Sequence, residues 1–519
     1  MKSLFKAVAM ITFFSVLTRL AGFLFRIYLS RTIGAEALGI YQVSLSIFMV
    51  LITIVSSGLP LIISRNTAKY TALKDKKSEN SLMGSSVIFT TILSIVVVLL
   101  VVIFKDVLKV FFTDDRCTQI LFYLLPAVVF SAVYGAFKGW LWGKNNYFGV
   151  CIAEFFEQIA RIIICVLMLG ATFSVVDGAS IAAISMSIAC ALSLILIAII
   201  FFVCGGKINK PKKMYSELVK PSTPITFVRL ATSLVQPIIA ILIPLRLVSA
   251  GFTNAQAISL YGIAIGMTMP FLFIPTSIIG SLSMALIPDL SSAVTKQDQN
   301  HIQNRISTSL TFSLFCSCLF VPLFMGCGEQ IGLFFYDNLQ SGLLLVSSSW
   351  VMIPIGMTNV SSSILNALGL EVKSLKNYIL GAISMLLCIW FLPKYIGIKA
   401  LIWGFGICTA TSSLLNIRMI KKHTKSNLKI FKPFVYMCLL VIPTTALVWF
   451  TSSILKNFFT PFFNLAVSSI LGTIAYVCLC AVFNLIDYQA WFVKFNFLKT
   501  KNFKLSKILG FKSKKKTNS

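Results

Sequence analysis

Long apolar segments recur along the whole chain and are separated by short polar connections. Residues 85–104 read SSVIFTTILSIVVVLLVVIF and residues 179–204 read ASIAAISMSIACALSLILIAIIFFVC, neither with a charged residue. A helix needs about 20 predominantly apolar residues to cross the hydrocarbon core of a bilayer. The segments lack the alternation of strands and exceed the length of barrel strands. The pattern therefore predicts an all-α, polytopic membrane protein.

A window of about 20 residues predicts about fourteen transmembrane helices. They lie near residues 8–30, 38–63, 85–104, 118–142, 148–170, 179–204, 222–249, 256–288, 308–326, 342–367, 375–393, 398–417, 433–453 and 462–484. The eighth contains Pro270, Pro275 and Pro288, so a break is expected there. The first lacks a small-residue cleavage site, which predicts an uncleaved span rather than a signal peptide.

The charge distribution predicts the orientation of the chain. Only 12% of the residues are charged, yet the net charge is +29. The basic residues gather in alternate connections, at residues 64–77, 205–220 and 418–432 and in a tail at 487–519. The positive-inside rule then places both termini in the cytoplasm and the chain in the cytoplasmic membrane. Because topology explains the charge, no nucleic-acid partner is expected.

The basic tail mixes lysine with phenylalanine, leucine and isoleucine in KFNFLKTKNFKLSKILGFKSKKK. Such a segment can lie on the anionic lipids of the cytoplasmic leaflet. A solvated basic end explains the same composition, and both interpretations stay open.

Weak internal similarity indicates a repeat. TRLAGFLF at residues 18–25 resembles VRLATSLV at 228–235, and DGASIAA at 177–183 resembles IGIKALI at 396–402. These matches occur in the same order in both halves. They predict two six-helix bundles, at residues 1–206 and 207–425, followed by two additional transmembrane helices at 426–486. Bundles that rock against each other around a central site are a physical basis for alternating access.

Three arginines lie deep in predicted spans. Arg19 is about 16 Å along the first span, Arg26 shares its face, and Arg229 repeats Arg19 in the seventh span. Each charge at mid-membrane costs about 2.5–3.5 kcal/mol, so these side chains are expected to face a shared interior. Arginine binds phosphate in bidentate fashion, which predicts a central cavity for a diphosphate. For Arg26, snorkelling to the outer interface is the alternative, and Arg31 is interpreted as an interfacial anchor.

A narrow polar stripe follows the fifth span. Glu154, Glu157, Gln158 and Arg161 fall within an arc of about 100° on a helix. One interpretation is a structural ion pair between Glu157 and Arg161, which are four residues apart. In the other, Arg161 lines the cavity, and the two glutamates and Gln158 act in coupling or gating by titrating or holding a cation. The sequence leaves both open.

Motifs for chemical catalysis are absent from the sequence. It contains no G-x-x-x-x-G-K-[ST] pattern, and its two histidines, His301 and His423, fall in predicted cytoplasmic segments. Its cysteines lie mostly in apolar segments without metal-site spacing. We therefore expect no enzyme activity, no metal and no cofactor, and a membrane polymerase or acyltransferase is disfavoured.

Several longer segments resemble a known family. TRLAGFLFRIYLSRTIGAEALGIYQVSLSIF from residue 18, SSGLPLIISRNTAKY at 56–70 and KGWLWGKNNYFGVCIAEFFEQIARI at 138–162 are similar to the polysaccharide biosynthesis and stage V sporulation protein B family. That family belongs to the multidrug/oligosaccharidyl-lipid/polysaccharide (MOP) flippase superfamily. The resemblance extends from about residue 5 to 420. Lys138 stands where the family usually has arginine.

The resemblance implies flipping of undecaprenyl-diphosphate-linked saccharides, such as precursors of peptidoglycan, spore cortex or polysaccharide, without an ATPase. Arg19, Arg26 and Arg229 match positions at which related lipid II flippases carry arginine, and Glu157, Gln158 and Arg161 match the family pattern E-Q-x-x-R. The alternatives are an organic-cation exporter of the same superfamily and a non-transporting partner of cell-wall synthesis or sporulation proteins.

Overall fold

The computed structural model describes residues 2–56, 58–170, 175–211, 215–295, 299–424, 430–456, 458–483 and 485. The basic tail predicted at 487–519 lies outside these residues. The α-helices of the first half are α1 (Lys2–Ser56), α2 (Leu59–Ala72), α3 (Lys76–Ile103), α4 (Lys105–Phe111), α5 (Arg116–Gly143), α6 (Tyr147–Leu169) and α7 (Val175–Val203).

The second half begins with a π-helical turn at Tyr215–Val219. Its α-helices are α8 (Lys220–Ser233), α9 (Val235–Ser249), α10 (Asn254–Tyr261), α11 (Met269–Thr295), α12 (Gln299–Tyr336), α13 (Leu339–Ser348), α14 (Met352–Ala367), α15 (Glu371–Phe391), α16 (Pro393–Ile396) and α17 (Lys399–Thr424). The chain closes with α18 (Phe431–Leu455) and α19 (Pro461–Val482).

The predicted all-α membrane architecture is confirmed, because 12 of the described helices are long and apolar enough to cross a bilayer. The count of fourteen stays a prediction. One of the twelve runs from Met10 to Ala72 and includes the non-helical Gly34, whose φ of 77° suits glycine. α6 has the length of a span, but Glu154, Glu157 and Arg161 reduce its apolar character.

Gly34 divides α1 into two limbs, residues 2–33 and 35–56. The first limb approaches Gly34 and the second leads away from it towards Gly58, which precedes α2. We use the Gly34 side and the Gly58 side as names for the two ends of the second limb.

The break expected in the eighth span occurs before its prolines. A π-helical segment at Gly262–Thr268 joins α10 to α11, and Pro270 stands at the start of α11. Proline lacks the N–H that would bond the carbonyl four residues earlier, and a wider turn accommodates that loss. The irregularity therefore lies one turn N-terminal to the ring that causes it.

The helices pack in two groups around α1 and α12. In the first half, α1 packs on α5, α6 and α7, while α2 and α3 pack on α5. In the second half, α12 packs on α11, α13 and α14, and α17 packs on α14 and α15. α18 and α19 pack against each other and on α12. The predicted domain boundaries at 206, 425 and 486 stay predictions.

Candidate functional site

A cavity of about 280 Å³ lies where α1 meets the second half of the chain. Arg26 reaches it from the first limb of α1, and Gln42 and Ser46 reach it from the second limb. Gln236 of α9 and Tyr261 of α10 line the opposite wall. This cavity, the Arg26 cavity, thus has polar groups from both halves and one cationic side chain.

Arg19 also connects the two halves of the chain, and it lies about two helical turns before Arg26 on α1. Its Nη1 donates a hydrogen bond to Ser277 Oγ of α11 at 3.3 Å. Because Arg19 and Arg26 are seven residues apart, they project from the same face of the helix. Arg229 lies on α8 with an exposed side chain, and α8 packs on α1. Within the described residues, Arg229 does not line the Arg26 cavity.

The polar stripe of α6 forms two ion pairs. Arg161 Nη2 donates to Glu157 Oε1 at 2.8 Å, so the pair with four-residue spacing is present. Glu154 instead pairs with Lys138 of α5, whose Nζ lies 2.5 Å from Glu154 Oε1. Lys138 also lies over the Trp142 ring, 4.7 Å from its centroid. Each carboxylate of the stripe therefore has a basic partner.

Gln158 places the stripe against the arginine face of α1. Its Nε2 atom lies 3.6 Å from where a side chain at Gly22 would begin, and Gly22 stands between Arg19 and Arg26 on that face. The Gln158 side chain of α6 therefore packs beside Gly22 on the arginine face of α1.

The inner part of the stripe is shielded from solvent. The side chains of Arg161 and Glu157 are only 18% and 24% exposed. Arg161 Nε is buried and has no hydrogen-bond partner within the described part of the chain. Arg161 and Arg26 both act electrostatically on the buried Tyr41 hydroxyl. Tyr41 is therefore within electrostatic range of both Arg161 in the stripe and Arg26 in the cavity.

Four further residues contact the site without having been predicted from the sequence: Lys138, Gln42, Gln236 and Ser277. Lys138 and the two glutamines were detectable as polar residues in apolar spans, which is the usual signal of an interior position. Ser277 carried no such signal, because single serines are common in membrane helices and hydrogen-bond to their own backbone.

Arg31 and Arg246 bind carbonyl groups at helix ends. Arg31 Nε donates to Phe335 O at 2.8 Å and its Nη2 donates to Phe334 O, both in the last turn of α12. Arg246 Nε donates to Trp390 O at 2.9 Å near the end of α15. Cations are favourable at helix C-termini. Arg31 therefore joins the first limb of α1 to α12, which is more than the interfacial anchor that the sequence predicts.

A second charge cluster lies on the Gly34 side. Arg116 Nη2 lies 2.5 Å from Glu36 Oε1 and 2.6 Å from Asp114 Oδ2. Partial burial would raise the pKa of the Asp114 carboxyl, but the hydrogen bonds from Arg116 outweigh burial and lower that pKa. Asp114 is thus held as an anion, and the cluster ties α1 to the start of α5.

The two halves touch on the Gly34 side through glycines. A side chain at Gly39 would overlap the Ile258 carbonyl of α10, and one at Gly262 would overlap the Ala35 carbonyl of α1. Backbones approach this closely only where the side chain is a hydrogen atom. The second limb of α1 and the α10 segment are therefore in direct backbone contact.

The halves also touch on the Gly58 side. A side chain at Gly58 would come within 2.8 Å of Ser222 O in α8. The Tyr70 hydroxyl of α2 donates to Glu217 Oε1 at 2.6 Å, and Asn66 Nδ2 donates to Glu217 O at 2.9 Å. The Arg26 cavity thus lies between contacts at both ends.

Comparison with known proteins places the chain in a family. A family model described as "Polysaccharide biosynthesis protein" matches residues 4–294, more than half of the chain. The chain belongs to the polysaccharide biosynthesis protein family. The resemblance stated from its motifs is confirmed.

Two relatives from Bacillus subtilis (strain 168) are similar along most of their length. Stage V sporulation protein B is 23% identical over 382 residues, which cover 71% of this chain and 73% of the relative. Lipid II flippase MurJ is 23% identical over 467 residues, which cover 82% of this chain and 84% of the relative.

Two solved structures share the fold of this polysaccharide biosynthesis family member. Lipid II flippase MurJ in an inward closed conformation superimposes with a TM-score of 0.68 at 16% identity, covering 91% of this chain and 98% of that one. An inward-facing MATE family multidrug resistance transporter of the MOP superfamily superimposes with a TM-score of 0.67 at 13% identity. The match covers 79% of this chain and 94% of that one. The chain therefore has the fold of MOP superfamily transporters.

Proposed function

We propose that this membrane protein translocates lipids whose headgroup is a saccharide linked through a diphosphate, of the undecaprenyl-diphosphate class. The observation that carries the proposal is the Arg26 cavity, which presents a guanidinium together with neutral polar groups and, among its described lining residues, no carboxylate. A relative similar over most of its length is named a lipid II flippase. An anionic headgroup satisfies such a site, whereas an organic cation would be repelled by it.

In this proposal the arginines of α1 bind the diphosphate. Arg26 lies at the cavity wall and Arg19 lies on the same face, next to α11. Arg229 projects from α8, which packs on α1. Together they supply the charge-assisted hydrogen bonds that a diphosphate accepts, while the saccharide occupies the polar space and the isoprenoid chain stays in lipid.

The size of the cavity implies that the two halves must separate to admit the headgroup. Sites for drug-sized ligands measure about 300–1,000 Å³, and the Arg26 cavity of about 280 Å³ holds little more than a diphosphate. The glycine contacts at Gly39 and Gly262 close one end, and the Tyr70–Glu217 hydrogen bond closes the other. Opening one contact at a time would give alternating access.

We assign coupling or gating to the stripe of α6. Gln158 lies beside the arginine face of α1. Glu154 and Glu157 belong to the same stripe, and Arg161 and Arg26 both act electrostatically on Tyr41. A proton or cation that displaces Arg161 from Glu157 would free the guanidinium to act on the bound anion. The structural ion pair and this role are compatible, because the pair would be the resting state.

The Gly58 side is assigned to the cytoplasm in this proposal, with both termini on that side. The basic connections lie there, including the segment at residues 205–220 that carries Glu217. Headgroup loading would begin from that side, where lipid-linked precursors are made. The basic tail is proposed to contact anionic lipids of the same leaflet.

The test is which compound accumulates when the protein is depleted from its own cells. We expect a lipid-linked saccharide to accumulate in the cytoplasmic leaflet, where an added impermeant glycan-modifying enzyme cannot reach it in intact cells. Accumulation of a cationic drug with normal lipid-linked intermediates would instead indicate the exporter function. Rescue of the depletion by a variant that lacks Arg19, Arg26 and Arg229 would contradict the proposal and favour a non-transporting role.

A further inference from the structure

A second cavity, of about 460 Å³, lies apart from the Arg26 cavity on the Gly34 side. It is bounded by three elements that all end there: the first limb of α1, α12 and the connection between α18 and α19. Arg31 and Lys456 line it together with the apolar side chains of Leu333, Phe334 and Phe459. We name it the Lys456 pocket.

The ends of several spans mark the depth of lipid headgroups. α12 ends at Tyr336, α18 ends at Leu455, and α19 begins at Pro461. Next to the pocket, the side chains of Phe458 and Phe462 are 75% and 64% exposed, as expected for groups that face lipid chains. The pocket is therefore placed where a phosphate would lie beside the protein.

Two cations with unused donors line the pocket. Arg31 Nε and Nη2 donate hydrogen bonds to the α12 carbonyls, and Nη1 has no hydrogen bond within the described residues. Lys456 is exposed and forms no ion pair within the same residues. No carboxylate is among the described residues that line the pocket. Its charge therefore favours an anion, and its apolar walls favour an anion that carries acyl chains.

Gln330 indicates that a headgroup with a hydroxyl group fits the pocket. Its Oε1 is buried in the wall of the pocket and has no hydrogen-bond partner among the described residues. A buried acceptor without a donor is costly. Once the Gln330 amide turns into the pocket, a headgroup with a hydroxyl next to its phosphate can donate to Oε1 while its phosphate accepts from Lys456 and Arg31.

We infer that the Lys456 pocket binds one anionic phospholipid with a hydroxylated headgroup, of the phosphatidylglycerol class, between α12 and the α18–α19 pair. The phosphate lies between Arg31 Nη1 and Lys456 Nζ, a glycerol hydroxyl donates to Gln330, and an acyl chain contacts Phe334 and Phe459. The lipid then fills the contact between the last two helices and the rest of the protein. This inference does not depend on the proposed translocation.

The experiment is native mass spectrometry of the full chain released from micelles with a defined lipid. Phosphatidylglycerol is compared with phosphatidylcholine and with undecaprenyl phosphate, for the wild type and Lys456→Gln. We expect one tightly retained phosphatidylglycerol, with retention about tenfold weaker in Lys456→Gln, because a charge-assisted hydrogen bond is lost. Lys394→Gln, which removes an exposed lysine outside the pocket, is the matched control and should retain the lipid as the wild type does.

Loss of undecaprenyl phosphate in Lys456→Gln, with phosphatidylglycerol retention unchanged, would overturn the assignment to phosphatidylglycerol and indicate an isoprenoid phosphate instead. Gln330→Leu should weaken phosphatidylglycerol retention without altering the thermal unfolding of the lipid-free protein. Equal retention by wild type and Lys456→Gln would overturn the inference. So would retention of phosphatidylcholine as strong as that of phosphatidylglycerol.

Discussion

At the residue scale, the membrane interior of this protein is organised by matched charges. Glu154 pairs with Lys138 and Glu157 pairs with Arg161, and each pair includes α6. An unpaired charge in a shielded environment is costly, whereas removing both members of a pair is tolerated. Arg26 differs, since the cavity that it lines has no described carboxylate. The charge of Arg26 is therefore available to a ligand.

Lys138 is predicted to stabilise the protein chiefly as the partner of Glu154. Lys138→Met should lower the stability by about 1–2 kcal/mol because it leaves the Glu154 carboxylate without its cation. The double variant Lys138→Met/Glu154→Met should recover most of that loss. Thermal unfolding in detergent measures both, with Lys105→Met on the exposed α4 as the control. Additive destabilisation in the double variant would show that the two side chains do not interact.

Glu157 and Arg161 are predicted to carry coupling in addition to packing. In Glu157→Met/Arg161→Met both charges are removed, so the protein should still insert and fold. Its transport should then no longer respond to an imposed ion gradient or membrane potential. Transport rates in proteoliposomes with and without the gradient measure this, and Asp106→Met/Lys109→Met, which removes the exposed ion pair of α4, is the control with the same loss of charge outside the stripe. A normal gradient response would leave the pair a purely structural role.

The residues of the candidate site were predictable from sequence to the extent that they are charged. Arg19, Arg26, Glu157 and Arg161 are visible because charge in an apolar span is expensive. Their partners were not predictable, since Ser277 lies 258 positions from Arg19 and nothing local links them. The Arg19–Ser277 contact depends on the packing of α1 against α11, which a single sequence does not reveal.

At the element scale, the second limb of α1 runs between the two closing contacts. Gly39 meets the α10 backbone near one end and Gly58 meets α8 at the other. Helices with small residues at their interface can separate and rejoin without large side chains interlocking. This helix is therefore suited to act as a movable boundary of the Arg26 cavity.

Gly39→Val is predicted to hold the Gly34 side open. The added side chain would overlap the Ile258 carbonyl, so α1 and α10 must separate. In a cysteine-free background, spin labels at Asp115 and Ala255 should report a longer distance than in the parent. Gly280→Val introduces the same side chain where nothing lies within 4 Å and is the matched control. An unchanged distance distribution in Gly39→Val would show that this contact does not close the cavity.

The helices themselves were largely predictable, while their interruptions were not. The predicted spans at residues 118–142 and 375–393 correspond to α5 (Arg116–Gly143) and α15 (Glu371–Phe391). Apolar length determines such elements, so the sequence is sufficient. The π-helical segment Gly262–Thr268 packs on α1, with Gly262 against Gly39 and Gly266 against Leu38. Pro270 indicates that the helix is interrupted, but these tertiary contacts determine which residues form the wider turn.

At the scale of the whole molecule, the proposed function requires both termini to lie in the cytoplasm. A fluorescent protein fused after Ser519 should fluoresce, because such domains fold in the cytoplasm. Alkaline phosphatase inserted after Gly251, in the connection between α9 and α10, should be active on the opposite side. The reverse pattern would place the basic connections outside and contradict the orientation derived from charge.

In the proposed function, Arg26 in the cavity and Arg19 and Arg229 on α1 and α8 bind a lipid-linked diphosphate during its movement across the membrane. The most direct measurement is the translocation of a fluorescent undecaprenyl-diphosphate saccharide in proteoliposomes, scored by loss of protection from an external quencher. The wild type should accelerate translocation over empty liposomes. Arg19→Ala, Arg26→Ala and Arg229→Ala should each slow it by at least about tenfold, because each removes charge-assisted hydrogen bonds.

Arg65→Ala, which removes an exposed arginine of α2, is the matched control and should translocate at the wild-type rate. Equal protein incorporation in all liposomes is established by quantitative gel analysis. We therefore expect the rate to depend on Arg19, Arg26 and Arg229 but not on Arg65. Wild-type translocation by a normally inserted Arg26→Ala protein would contradict it.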